Sequence, residues 1–159
     1  MSSPVGFKAH DHESCVRTGM AEARAQCAAR GLRFTAVRQR TLEILLAEHR
    51  ALGAYDVLAV LTREGLGSQP PVAYRALNFL VEAGFAHKIE ALNAYIACTH
   101  LGDDHAPAFL ICRRCNAVAE AKTSTTRGRL DTAARDAGFV IERTVIEAEG
   151  ICPMCQSTA

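Results

Sequence analysis

The chain has 159 residues and no run of apolar residues longer than five. A helix that crosses a bilayer needs about 20, so no membrane-spanning helix is expected. The first fifteen residues are polar and lack the apolar core of a secretory signal. Export is therefore not expected. Internal repeats and long low-complexity tracts are absent. So are a glycine-rich phosphate loop and a separate nucleophile-and-base set, which argues against an enzyme acting on a small-molecule substrate. Net charge is only +1, which neither demands nor excludes a nucleic-acid partner. With 49% apolar and 22% charged residues, the chain reads as globular, with room for one medium domain or two small ones.

What the chain does have is seven cysteines and six histidines. Without an export signal, metal or redox chemistry is favoured over a disulfide framework. Cys112-x2-Cys115 and Cys152-x2-Cys155 stand 36 residues apart. Two residues between thiolates let a tight turn aim both sulfurs at one ion. Two such turns supply the four tetrahedral ligands of a structural zinc site. A redox pair normally sits at a helix N-terminus, and with four residues after Cys155 no helix is expected there. A second domain of this size also needs such a staple.

The first half reads as helices. Residues 14–30 form one, stopped by Gly31; Thr35 caps a second, carrying Leu42, Leu45, Leu46 and His49 at helical spacing. Asp56 caps a short third with Val57, Leu58 and Leu61 inward, ended by Gly65 and Gly67. Pro70-Pro71 opens a fourth, whose Ala73, Ala76, Leu77, Leu80 and Val81 make a core stripe. Tyr74, Arg75, Asn78 and Glu82 take its other face, and Gly84 ends it. Strand-like pieces at 85–90 and 94–99 follow. Helices followed by a hairpin describe a winged helix-turn-helix that offers Tyr74 and Arg75 to a DNA groove. Between Arg17 and Arg40 lie six arginines against one Glu22, an expected source of phosphate contacts. In the second half, strands are expected at 108–112 and 117–121, a helix at 126–137 and a strand at 139–148. The expected class is α+β: a winged-helix domain over 1–92, with 1–14 a flexible tail, and an α/β domain over 93–159 holding the four-cysteine site.

His87, Cys98, His105 and Glu120 form a second constellation across that junction. Each alone has an ordinary reading as a surface or core residue. Together, two imidazoles, a thiolate and a carboxylate suit zinc. His100, Asp103 and Asp104 compete with them or make a further site. His10, Asp11, His12 and Cys15 are also ligand types, in what reads as a polar tail. A metal held by both halves would clamp them at one angle, the two-state element a switch requires.

At this point the chain resembles a known family. Gly31-Leu-Arg33-Phe-Thr35-x2-Arg38, Gly53-Ala54-Tyr55-Asp56, Pro71-Val72-Ala73-Tyr74-Arg75-Ala76-Leu77-Asn78-Phe79-Leu80, Gly84, His87, Asn93-Ala-Tyr95-x2-Cys98, Phe109-Leu-Ile-Cys112-x2-Cys115, Glu120, Gly138-Phe139 and Glu147-x2-Gly150-x-Cys152-x2-Cys155 are similar to the ferric-uptake-regulator (Fur) family. Gly-Ala-Tyr-Asp and Cys98 point to its zinc-uptake-regulator (Zur) branch. The resemblance implies a cytoplasmic homodimeric repressor whose winged helix binds an AT-rich palindromic operator when zinc is replete, shutting off zinc-uptake genes. It implies two zinc ions per chain, a structural one on Cys112, Cys115, Cys152 and Cys155, and a regulatory one on His87, Cys98, His105 and Glu120. The preference for His105 over His100 comes from this resemblance. So does a base contact from Tyr55; Arg75 matches the other base-contacting position, and Tyr74 shares its helix. The alternatives are iron or manganese sensing within the family, and outside it a zinc-ribbon interaction module without DNA or a zinc enzyme with an open coordination position.

Overall fold

The structure is a computed structural model that describes residues 7, 11–48, 50–99, 101, 107–122 and 127–158. The elements run α1 (His12–Arg30), α2 (Ala36–Leu46), α3 (Ala54–Arg63), α4 (Pro70–Ala83), β1 (Ala86–Ile89), a 3₁₀ turn (Glu90–Leu92), β2 (Ala94–Ala97), β3 (Pro107–Cys112), β4 (Val118–Lys122), α5 (Arg127–Asp136), β5 (Ile146–Gly150) and α6 (Pro153–Ser157).

Local signals explain the helices. Asp11 accepts the Glu13 N–H and starts α1 two residues before the expected position, so part of the expected tail is helix. Thr35 caps α2 by accepting from the Arg38 N–H. Helix α3 begins at Ala54, because Gly53 takes the cap position while Asp56 reaches back to accept its N–H at 3.0 Å. Gly31 and Gly84, both left-handed, close α1 and α4. Gly67, at φ +142°, lies so close to α4 that an added Cβ would stand 2.8 Å from a Val72 methyl carbon. The tight turn into α4 thus needs glycine there.

One apolar cluster sits among the helices, with Leu42, Leu45, Val57, Leu61, Leu77, Leu80 and Phe85 fully buried. Strands β1 and β2 pair antiparallel, with His87 opposite Ile96. Alternation along a strand divides their side chains between two faces. Ala86, Tyr95 and Ala97 join the helical cluster. Ile89 and Ile96 turn the other way and pack with Phe109, Ile111 and Val118 of the second half. His87 shares that second face by parity. The expected boundary at 92–93 cuts this hairpin, so the winged helix is better ended after Ala97, and we propose that placement.

The second half is built on a sheet of order β4-β3-β5. Strands β3 and β4 are antiparallel, and β3 and β5 parallel. The strand expected over 139–148 is shorter than its composition suggests. Strand β3 begins at Pro107 and pairs with β5 from Ala108, opposite Ile146, so residues 139–145 have no ladder to join among the described residues. Phe139 and Val140 are 68% and 82% exposed. No helix among the described residues is long and apolar enough to cross a membrane.

Candidate metal centres and reading face

The two cysteine turns meet. The sulfurs of Cys112, Cys115, Cys152 and Cys155 all lie within 4.8 Å of one another, with Cys115 and Cys152 at 3.7 Å. A tetrahedron with zinc–sulfur bonds of about 2.3 Å has edges of roughly 3.8 Å, so the set fits zinc. Cys112 ends β3; Asn116 adopts φ +59° and turns the chain back into β4. The second turn hangs from β5, tied to the first by the Arg113 N–H on Gly150 O at 2.9 Å and by Arg114 Nη1 on Cys155 O at 2.9 Å. Contrary to expectation, a short helix does follow. Cys152 is its cap and Pro153 its first residue, because proline at that position starts a turn without needing its missing N–H.

The thiols differ electrostatically. The backbone N–H of Cys152 donates to Cys112 Sγ at 3.4 Å. That donor, with the N–H groups of Cys115 and Arg114, pulls the Cys112 thiol down to about 6. Cys155 is pushed up to about 12 by its hydrogen bond with Cys152, by burial and by the other thiols crowding it. A cluster that holds one ready thiolate and resists further negative charge is one a divalent cation would complete.

The second cluster brings together His87, Cys98 and Glu120, their ligand atoms within 4.8 Å. His87 comes from β1, Cys98 from just past β2, and Glu120 from β4. His87 Nε2 stands 3.6 Å from Glu120 Oε1. Glu120 is only 7% exposed and Cys98 2%. The other carboxylate oxygen of Glu120 accepts the Thr99 N–H at 3.2 Å and the Thr99 hydroxyl at 3.1 Å. The His87 ring packs on Phe109 at 5.3 Å between centroids. Imidazole, thiolate and carboxylate in a buried pocket fit zinc. The expected fourth ligand, His105, lies outside the described residues, as do His100, Asp103, Asp104 and His10. His12 is placed in the first turn of α1 and belongs to neither metal-sized cluster found among the described residues.

The face expected to meet DNA is exposed. Tyr74 and Arg75 point outward from α4, with Asn78 and Glu82 behind them. Tyr55, 66% exposed, stands at the start of α3. Four of the six arginines also have partners within the chain. Arg30 donates to Ala83 O, Arg38 lies 3.9 Å from the Phe79 ring centroid, and Arg24 donates to Gln39. Arg40 forms a two-pronged pair with Glu64 at 2.7 and 2.8 Å and also meets Glu43. These partners lie up to 53 residues away in sequence, beyond the reach of a local reading. Arg17, Arg24, Arg30 and Arg33 are exposed, and Arg38 and Arg40 are half-buried. The sequence reading also assigned no role to Thr99, Phe109 or Glu147, since no spacing rule signals their contacts.

Residues 29–149 match the family described as Ferric uptake regulator family. The chain is 40% identical to the zinc uptake regulation protein of Escherichia coli (strain K12) over 138 residues, 86% of this chain and 80% of that one. Among solved structures it is similar to a zinc uptake regulator complexed with zinc and DNA, with TM-score 0.86, 36% identity, and 90% of this chain and 96% of that one covered. It is also similar to XcZur at 33% identity. The holo form gives TM-score 0.79 with 89% and 99% covered; the apo form gives 0.52 with 90% and 99%. The backbone described above is therefore nearer to the holo than to the apo arrangement of that relative.

Proposed function

The chain belongs to the ferric uptake regulator family, and from that premise we propose that it is a zinc-responsive transcriptional repressor, which binds operator DNA as a zinc-loaded dimer and represses zinc-uptake genes. The observation that carries the reading is the convergence of His87, Cys98 and Glu120 from both halves of the molecule. The thiolate favours zinc over iron or manganese, which prefer imidazole and carboxylate without sulfur. The 40% identical relative is a zinc uptake regulation protein.

Two zinc ions per chain are expected. Cys112, Cys115, Cys152 and Cys155 hold the first and staple the end of the chain to the β3–β4 hairpin. His87, Cys98 and Glu120, joined by His105, hold the second. Zinc bound there supplies a cross-link that favours the deprotonated thiol and the ionised carboxylate. His87 and Cys98 carry the hairpin; Glu120 carries the sheet. Holding these side chains at one point fixes the winged helix against the second half. In a dimer this sets the separation of two α4 helices, about 34 Å for successive major-groove faces, and dimer symmetry then mirrors operator symmetry.

Arg75 reads a purine edge, while Tyr74 and Tyr55 pack on thymine methyls or donate to the backbone. The exposed Leu130, Phe139 and Val140 form apolar surface of the kind a second copy covers. Cys98 and Glu120 are buried, which suits a held ion rather than a site open to substrate, so the protein is read as a regulator and not an enzyme. DNA as the partner implies a cytoplasmic location. The test is footprinting of zinc-loaded protein on DNA upstream of zinc-uptake genes. Protection of an AT-rich palindrome supports the reading; uniform low-affinity coverage overturns it.

A further inference from the structure

Strand β3 carries Phe109 between two carboxylates. It is paired with Glu120 on β4 and with Glu147 on β5. Residues in one row across a sheet share a face, and this face looks onto the hairpin of the winged helix. Glu120 reaches the base of that hairpin, at Thr99 and His87. Phe109 packs on the His87 ring. Glu147 reaches the tip, where its two oxygens accept the N–H of Glu90 at 2.6 Å and of Ala91 at 3.0 Å. Those N–H groups open the 3₁₀ turn Glu90–Leu92, and N–H groups opening such a turn have no partner within it. A carboxylate that accepts two successive backbone donors makes a short-range, directional, charge-assisted contact.

We infer that Glu147 is a positioning residue for the metal response, a latch that pins the hairpin tip to the sheet whether or not the second metal site is filled. The proposal rests on the function proposed above. With the tip held by Glu147, the hairpin retains one soft motion, rotation about that pin, which opens or closes its base. Glu120 sits at the moving end, in the row of the pin and on the far side of Phe109. Metal at His87, Cys98 and Glu120 then selects one angle rather than one of many. Without the latch, the same metal would hold only the base, and the angle of α4 would stay broadly distributed.

The experiment compares wild-type protein with Glu147→Ala and Glu147→Gln, each loaded with zinc. Amide hydrogen exchange is read on the peptide spanning residues 90 and 91, zinc content by metal analysis, and operator affinity by titration. Glu147→Ala removes both acceptors. It is expected to speed exchange at Glu90 and Ala91 and to weaken operator binding at saturating zinc by about ten-fold, the scale of one lost charge-assisted contact, with zinc content unchanged. Glu147→Gln keeps one acceptor and should fall between. Unchanged exchange overturns the latch. Faster exchange with wild-type operator affinity overturns the positioning role and leaves only a structural contact. Retained zinc shows that the variants are folded. If the wild-type protein itself binds operator without regard to zinc, the proposed function fails, while the exchange measurement still decides the latch.

Discussion

His87 on the hairpin and Glu120 on the sheet place Nε2 and Oε1 3.6 Å apart, across the line where the winged helix meets the second half. Strand parity sends the imidazole to this face, and Phe109 backs it. The carboxylate is held from behind by Thr99. Both groups are thus pre-oriented on packed strands, with Cys98 as the third donor. Removing the thiolate should spare the four-cysteine site. Cys98→Ser is expected to retain one tightly held zinc per chain and to lose the zinc response of operator binding. Metal analysis after dialysis against a weak chelator, with parallel DNA titrations, checks both.

The four-cysteine site should depend on pH in a defined direction. Zinc binds thiolates, so protons compete with it. Cys155, pushed up to about 12, carries its proton at neutral pH when metal-free, whereas Cys112, at about 6, is already ionised. Zinc binding at pH 7 must therefore release protons. Affinity should fall as pH falls, and more steeply below about 6, where Cys112 also protonates. Competition with a chromophoric chelator between pH 5 and 8, together with proton release measured in weak buffer, tests this. Affinity that does not change over the range would contradict it.

Gly67 gives a stability prediction. At φ +142°, with Val72 2.8 Å from any added Cβ, Gly67→Ala must either strain the backbone or move α4. A penalty of roughly 1–3 kcal/mol is expected, lowering the melting temperature by roughly 2–12 °C. Zinc content should not change. Thermal unfolding followed by circular dichroism measures it.

The arginines should separate by role. Arg75→Ala is expected to abolish preference for operator over random DNA while binding to random DNA persists. Arg33→Ala, at an exposed side chain, should lower the slope of log affinity against log salt by about one unit. Arg40→Ala should leave that slope nearly unchanged, because Glu64 and Glu43 already occupy its guanidinium. Titrations at four salt concentrations distinguish the three.

Helices α2 and α4 were legible because their ends are written in local chemistry: Thr35, Pro70-Pro71 and Gly84. The four-cysteine site was legible because two turns of fixed spacing allow only one kind of ligand geometry. His87, Cys98 and Glu120 were visible as residue types, and their approach depends on strand parity and on which sheet face meets the hairpin. Less was visible where a partner decides the outcome. The 139–145 segment has strand composition and no neighbouring strand among the described residues. Arg40 looks like a free cation until Glu64 is brought to it. Cys152 caps a short helix that the few following residues gave no reason to expect. The acceptor role of Glu147 depends on a backbone turn 56 residues away.

The central claim is that zinc at the site joining the two halves controls operator binding. The most direct measurement is binding of a labelled operator fragment by purified protein across buffered free zinc, with iron(II) and manganese(II) titrated in parallel. The account predicts tight, specific binding that switches on at very low free zinc, with no switch from the other two metals at physiological levels. A switch driven by iron or manganese, or operator binding indifferent to every metal, would contradict it.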